Sequence, residues 1–124
     1  MKGIQAYRKS TIKTSSNEEL VLRLFEVAIS SMWEGFELLE ENKKVDSIEP
    51  LQHARNIFSE LMLCLNHEEG GELTTQLHSL YVFLIKEVSR AGFEGDAARL
   101  QGAIRVAENL YNGFQVAFGE EQDG

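Results

Sequence analysis

Apolar residues recur at alternating spacings of three and four through four consecutive segments of this chain, and only short breaks separate the segments. Val21, Phe25, Ala28, Met32, Phe36 and Leu39 make the first stripe, and Leu51, Ala54, Phe58, Leu61 and Leu65 the second. Leu73, Leu77, Leu80, Tyr81, Leu84, Val88 and Ala91 make the third; Leu100, Ala103, Ile104, Ala107, Leu110, Tyr111 and Phe114 make the fourth. At about 100° per residue each set falls on one face of an α-helix. A helix with one apolar face must bury it, and breaks of a few residues force successive helices to run antiparallel. The expected fold is therefore all-α, an antiparallel up-down four-helix bundle with a short N-terminal arm.

Local signals set the expected boundaries. Ser16 with Glu19 forms a capping box, which starts the first helix near Asn17 and makes residues 1–15 an arm. The Lys43-Lys44 pair suits the C-terminus of that helix. Asp46 and Glu49 make a second box-like start, and Pro50, the one proline, fits a first helical turn. Gly70-Gly71 interrupts the pattern just before the third stripe, to supply a positive φ or a tight entry into the third helix rather than to contact a ligand. Gly92 is placed to stop the third helix, and Asp96 to cap the fourth. The bundle spans residues 16–118, and residues 119–124 are expected to fray.

Composition excludes several functions. A formal charge of −8 from 20 acidic and 12 basic residues disfavours a nucleic-acid surface, which needs clustered Lys and Arg. No window approaches the roughly 18–20 apolar residues of a membrane span. The basic opening stretch, with Lys2, Arg8, Lys9 and Lys13, lacks the apolar core of a signal peptide. One cysteine, Cys64, rules out an intrachain disulfide and fits a reducing cytoplasm; beside the second stripe it reads as a small buried hydrophobe.

Catalytic and metal motifs are not found. Bundle di-iron sites use Glu-x-x-His pairs, but Pro50, Cys64 and Thr75 stand three residues before His53, His67 and His78. Cys64 and His67 alone do not close a zinc site. Gly70-Gly71 lacks the lysine and spacing of a phosphate loop. The expectation is a binding protein with no cofactor and no metal.

Binding is legible on the fourth helix. Ala98, Gly102, Val106, Asn109, Gly113 and Val116 fall in one narrow arc opposite the core stripe. A mid-helix glycine costs about 1 kcal/mol relative to alanine, so two on an outer face want a reason. Small side chains let a partner helix come close; the competing explanation is an ordinary solvated face. Leu20, Leu22, Val27, Trp33, Leu38, Val82, Phe83 and Ile85 exceed what four stripes need, and surplus apolar surface marks an interaction site. Ile4 and Tyr7 form an isolated apolar pair in the polar arm, suited to dock in a groove and yield it to a client, or simply to tether the N-terminus. Should the fourth helix prove to be solvated, the surface near Ile57, Leu77 and Tyr81 is the next candidate.

Several short motifs occur in a telling order. Gln5-Ala6-Tyr7 lies in the arm, followed by Asn17 to Leu20, Leu24-Phe25 and Ala28-Ile29. The segment Leu65 to Glu72 has the form Leu-x-x-x-x-Gly-Gly-Glu, and Leu80-Tyr81 follows. Together they resemble the FliS family of flagellar export chaperones, from Ile4 to about Phe118. Val27 stands where that family usually has glycine, Thr74 where it has alanine, and Phe114 where tryptophan is common. The resemblance implies a cytoplasmic chaperone that binds the C-terminal segment of flagellin, keeps it from polymerising and presents it to the flagellar type III export apparatus. It also implies contact with export-gate components. On this reading the chain is a monomer or weak homodimer, with no nucleic-acid partner and no membrane insertion. A self-associating regulatory or adaptor bundle without a secreted client would use the same apolar surface to dimerise.

Overall fold

The computed structural model describes the backbone of residues 7–123 and the side chains of residues 17–119. Four helices follow one another: α1 (Tyr7–Glu40), α2 (Ile48–Leu63), α3 (His67–Glu94) and α4 (Ala97–Asp123). No strand occurs among the described residues. α1 and α3 each pack against both α2 and α4, and α1 meets α3 across the diagonal. That is the antiparallel four-helix bundle that the stripes require.

The bundle centre is apolar throughout. Phe25, Met32, Phe58, Leu51, Leu84, Val88, Leu100 and Ile104 are fully buried, with Ala28, Ala54, Ala91, Ala103 and Ala107 between them. At one level an aromatic cluster joins all four helices. Phe25 of α1 meets Phe58 of α2 edge to face at 5.9 Å, Tyr81 of α3 at 6.2 Å and Phe114 of α4 edge to face at 5.4 Å. Such pairs contribute about 0.5–1.5 kcal/mol each beyond the area they bury.

Helix ends depart from the sequence expectation in instructive ways. α1 begins at Tyr7, so Ser16 lies inside the helix rather than at its cap. No glycine or proline occurs between Gly3 and Gly35, and without a breaker nothing obliges the backbone to turn at a capping serine. The helix stops at Asn42, which takes a left-handed φ of 62°. Lys43 N–H donates to Leu38 O at 2.8 Å and Asn42 N–H to Leu39 O at 3.0 Å, the paired bonds of a Schellman ending. Ser47, not Asp46, occupies the cap position of α2; it is buried, and its hydroxyl donates back to Lys44 O at 2.7 Å.

α3 opens with Asn66, whose side-chain oxygen accepts from the N–H groups of Glu68 and Glu69. The glycine pair then does two different things. Gly71 adopts φ 56°, ψ −133°, a kink closed to side chains. A Cβ on Gly70 would collide with Thr74, whose Cβ lies 2.7 Å from that point. Thr74 is buried, and its hydroxyl donates to Asn66 O at 3.4 Å. α3 runs past Gly92 and ends at Gly95, φ 70°, where Asp96 N–H donates to Ala91 O at 2.9 Å. Asp96 caps α4 as expected, its Oδ1 accepting from Arg99 N–H at 3.0 Å.

Gly92 is instead a packing residue. A Cβ there would stand 3.1 Å from Leu51 Cδ1, and one on buried Gly35 would stand 2.8 Å from Leu51 Cγ. Leu51 thus projects from α2 into gaps left by a glycine of α1 and a glycine of α3. Alanine at Gly35 gains about 1 kcal/mol of helix propensity but suffers an overpacking cost of about 1–3 kcal/mol. At Gly102, where nothing lies within 4 Å of the added Cβ, only the gain applies. Urea unfolding is expected to place Gly35→Ala about 1–3 kcal/mol below Gly102→Ala. Equal stability of the two variants would show that Leu51 shifts freely and that Gly35 has no packing role.

Candidate functional site

The outer face of α4 carries the arc that the sequence singled out. Ala98 and Gly113 are exposed, Gly102 is half-exposed, and Val106 is half-buried against the core. Open space surrounds Gly102 and Gly113 where their Cβ atoms would be. The helix is fixed on both flanks. Toward α1, Trp33 Nε1 donates to Glu108 Oε2 at 3.1 Å and Tyr111 OH donates to Glu26 Oε2 at 2.6 Å. The Glu26 carboxylate raises the Tyr111 pKa by that bond, with desolvation adding to it. Trp33 also meets Phe36 edge to face at 5.4 Å, so the lone tryptophan is engaged in holding α1 to α4 rather than left as surplus surface.

Toward α3, Arg99 Nη1 donates to Glu87 Oε1 at 2.9 Å. This pair marks the register of the two helices, which the buried core residues hold. Because they run antiparallel, one turn forward in α4 faces one turn back in α3. Phe83 therefore stands near the level of Gly102, Leu80 near Val106, and Leu73 near Gly113. Phe83 and Leu73 are 43% and 63% exposed, which gives the small-residue face of α4 an apolar border on α3. Leu73 was expected on the core stripe. It falls outside because the buried positions Val88 and Tyr81 recur every seven residues, and that spacing leads to Thr74 rather than Leu73. No local pattern marks Phe83 and Leu73 as neighbours of the glycines; the register from Arg99 and Glu87 does.

The other candidates separate. Ile4 lies outside the described residues, as does the side chain of Tyr7. Ile57 and Tyr81 are only 7% and 2% exposed and belong to the core, so neither can meet a partner while the bundle is closed. Ile57 extends the α2 stripe by one position on a helix that buries a broad arc. Burial pushes the Tyr81 phenol up to about 12, with Cys64 adding a smaller electrostatic effect. Leu77 is half-buried against the same core.

Cys64 is exposed, contrary to the expectation of a small core residue. It follows the last residue of α2, where the chain has turned off the stripe. His67 and His78 meet edge to face at 5.6 Å, but no group of three or more potential metal ligands exists among the described residues. No helix among them is long and apolar enough to cross a membrane.

Comparison with known proteins gives one consistent result. The profile of the family described as flagellar protein FliS matches residues 1–121. The flagellar secretion chaperone FliS of Salmonella typhimurium is 30% identical over 113 residues, covering 87% of this chain and 84% of that one. Its counterpart from Vibrio cholerae is 27% identical over 115 residues, covering 89% and 85%. A solved structure described as a flagellar chaperone from bacteria superimposes with a TM-score of 0.80 at 25% identity, over 97% of this chain and 98% of its own.

The exposure of Cys64 has a direct chemical consequence. In the native protein its thiol is expected to react with an aromatic disulfide reagent at a rate close to that of the urea-unfolded chain. Protection by about a hundredfold or more, the signature of a thiol reached only through unfolding, would contradict the placement.

Proposed function

The chain belongs to the FliS family of flagellar proteins, and from that premise we propose that it is a cytoplasmic chaperone for the C-terminal segment of flagellin. It holds that segment, prevents its premature polymerisation and delivers the subunit to the flagellar type III export apparatus, where gate components would receive it. Family membership and the secretion-chaperone names of the relatives support this reading. So does the arc of small residues on the outer face of α4, Ala98, Gly102, Val106 and Gly113, which runs beside exposed Arg105. The carrying observation is that two glycines there, Gly102 and Gly113, front open space, at levels where the antiparallel register brings exposed Phe83 and Leu73 of α3.

The physical mechanism follows from what such a face can accept. An amphipathic client segment lays its apolar side along the α3–α4 border, its backbone approaching over the glycines. Folding of the client on contact orders it at an energetic cost, which lowers affinity for a given area and keeps the complex releasable. Arg99 with Glu87, and the Trp33 and Tyr111 bonds to α1, hold α4 in place while this happens. The arm residues Ile4 and Tyr7 belong to the same proposal as occupants that the client displaces.

Gly102→Leu tests the location. In the free protein its melting temperature should equal or exceed that of wild type, because nothing surrounds the site. Calorimetric titration with the C-terminal tail of the same organism's flagellin should show affinity reduced by about tenfold or more, a loss of roughly 1.4 kcal/mol. Undiminished binding would place the client elsewhere, and no binding by the wild type would favour a self-associating bundle.

A further inference from the structure

At the opposite end of the bundle from the kink, a cleft of about 690 Å³ opens between the start of α2 and the end of α3. Its apolar lining includes Val45, Ile48, Leu51 and Phe93. Leu51 forms the buried floor, whereas Val45, Ile48 and Phe93 are 78%, 59% and 80% exposed. An adjoining cleft of about 670 Å³ shares Ser89 and Phe93 and continues along α3 past Ile85. Gly92 helps to shape the floor, since it is the residue that lets Leu51 sit so close to α3. A largely exposed phenylalanine at a helix end, beside a valine and an isoleucine also in water, is apolar surface without a use inside this chain.

The charges around it are segregated. Residues 17–119 hold eight basic side chains, and four of them, Lys44, Arg55, Lys86 and Arg90, line these two clefts. Glu94 is the single acid in the lining, and it is already paired with Arg90 at 3.1 Å. Lys44 lies over the Phe93 ring, 5.6 Å from its centroid, and Arg55 donates only to neutral Gln52 at 2.7 Å among its described hydrogen bonds. A chain of net charge −8 thus presents a positive rim around the most exposed aromatic ring among its described residues.

We propose that this cleft is a second docking site, which receives an amphipathic helix with an apolar anchor flanked by carboxylates, from a protein partner other than the client segment on α4. Leu51 and Phe93 receive the anchor, and Lys44, Arg55 and Lys86 meet the carboxylates one by one. The cleft lies between helices, and the exposed acids Asp46 and Glu49 stand next in sequence to its lining residues Val45, Ser47 and Ile48. Discrete carboxylates of a helix can pass between those acids, whereas a flat anionic bilayer would be repelled by them. No described residue of α4 lines the cleft, which opens between α2 and α3, whereas the client face lies on the α4 side of α3, so a chaperone holding its client can be recognised by a second protein at the same time.

The test uses the full chain and two designed 18-residue helical peptides. Both carry leucines at helical spacing on one face; one has glutamate and the other lysine on the flanks. By fluorescence anisotropy at about 50 mM salt, where exposed charges are weakly screened, the glutamate peptide should bind about tenfold or more tighter than the lysine peptide. Phe93→Ser and Lys44→Glu, both surface changes, should each weaken it by a similar factor while leaving flagellin-tail affinity within twofold. Equal binding of the two peptides, or indifference to both variants, overturns the proposal. So does loss of the flagellin tail with Phe93→Ser, which would make the cleft part of the client site. Phe93-dependent binding to phosphatidylglycerol vesicles without binding of the glutamate peptide would overturn it in favour of a membrane surface.

Discussion

Leu51 is the contact on which the close packing of three helices depends. It reaches from α2 between Gly35 of α1 and Gly92 of α3, so those backbones can approach where larger residues would hold them apart. Interiors tolerate neither voids nor overlap, and the two glycines are the complement of one leucine. Along the bundle, the cluster of Phe25, Phe58, Tyr81 and Phe114 takes over, filling the centre with rings. Small-plus-large packing at one level and aromatic packing at the other fix the helices without drawing on the outer faces.

That division of labour is what leaves surface for binding. α4 is tied to α1 by Trp33–Glu108 and Tyr111–Glu26 and to α3 by Arg99–Glu87. Its remaining face carries alanine, glycine and valine together with Asn109 and exposed Arg105. A glycine inside the bundle and a glycine outside it therefore have opposite meanings. Gly35 and Gly92 are filled by Leu51, and Gly102 and Gly113 face open space. The proposed client site uses the unfilled pair, where a partner backbone can approach closely.

Much of the fold was legible because it follows from periodicity. The core stripes of all four helices, the cap at Asp96 and the conformational demand at Gly70-Gly71 can be read locally. What could not be read depends on contacts between helices. Gly92 looked like a stop from its own neighbourhood, but the helix continues through it to Gly95 since Leu51 needs the gap. Cys64 and Leu73 sit on the apolar side by counting, yet the chain has turned off the stripe at one, and the seven-residue spacing of Val88 and Tyr81 puts Thr74 in the core in place of the other. Ile57 and Tyr81 appeared available for binding and are core. Of the α4 site, the glycine arc was visible in sequence. Its apolar border, Phe83 and Leu73, required the register that the Arg99–Glu87 contact marks.

The central claim is that the client is held on the outer α3–α4 face of a bundle that stays closed. Backbone ¹H–¹⁵N chemical-shift mapping on addition of the flagellin C-terminal tail tests it most directly. The account predicts the largest shifts at Ala98, Gly102, Val106 and Gly113 and at Phe83 beside them, with the amides of Gly35, Leu51 and Phe58 nearly unmoved. Large shifts at Leu51, Phe58 and Tyr81, with α4 unchanged, would mean that the client opens the core, and would contradict it.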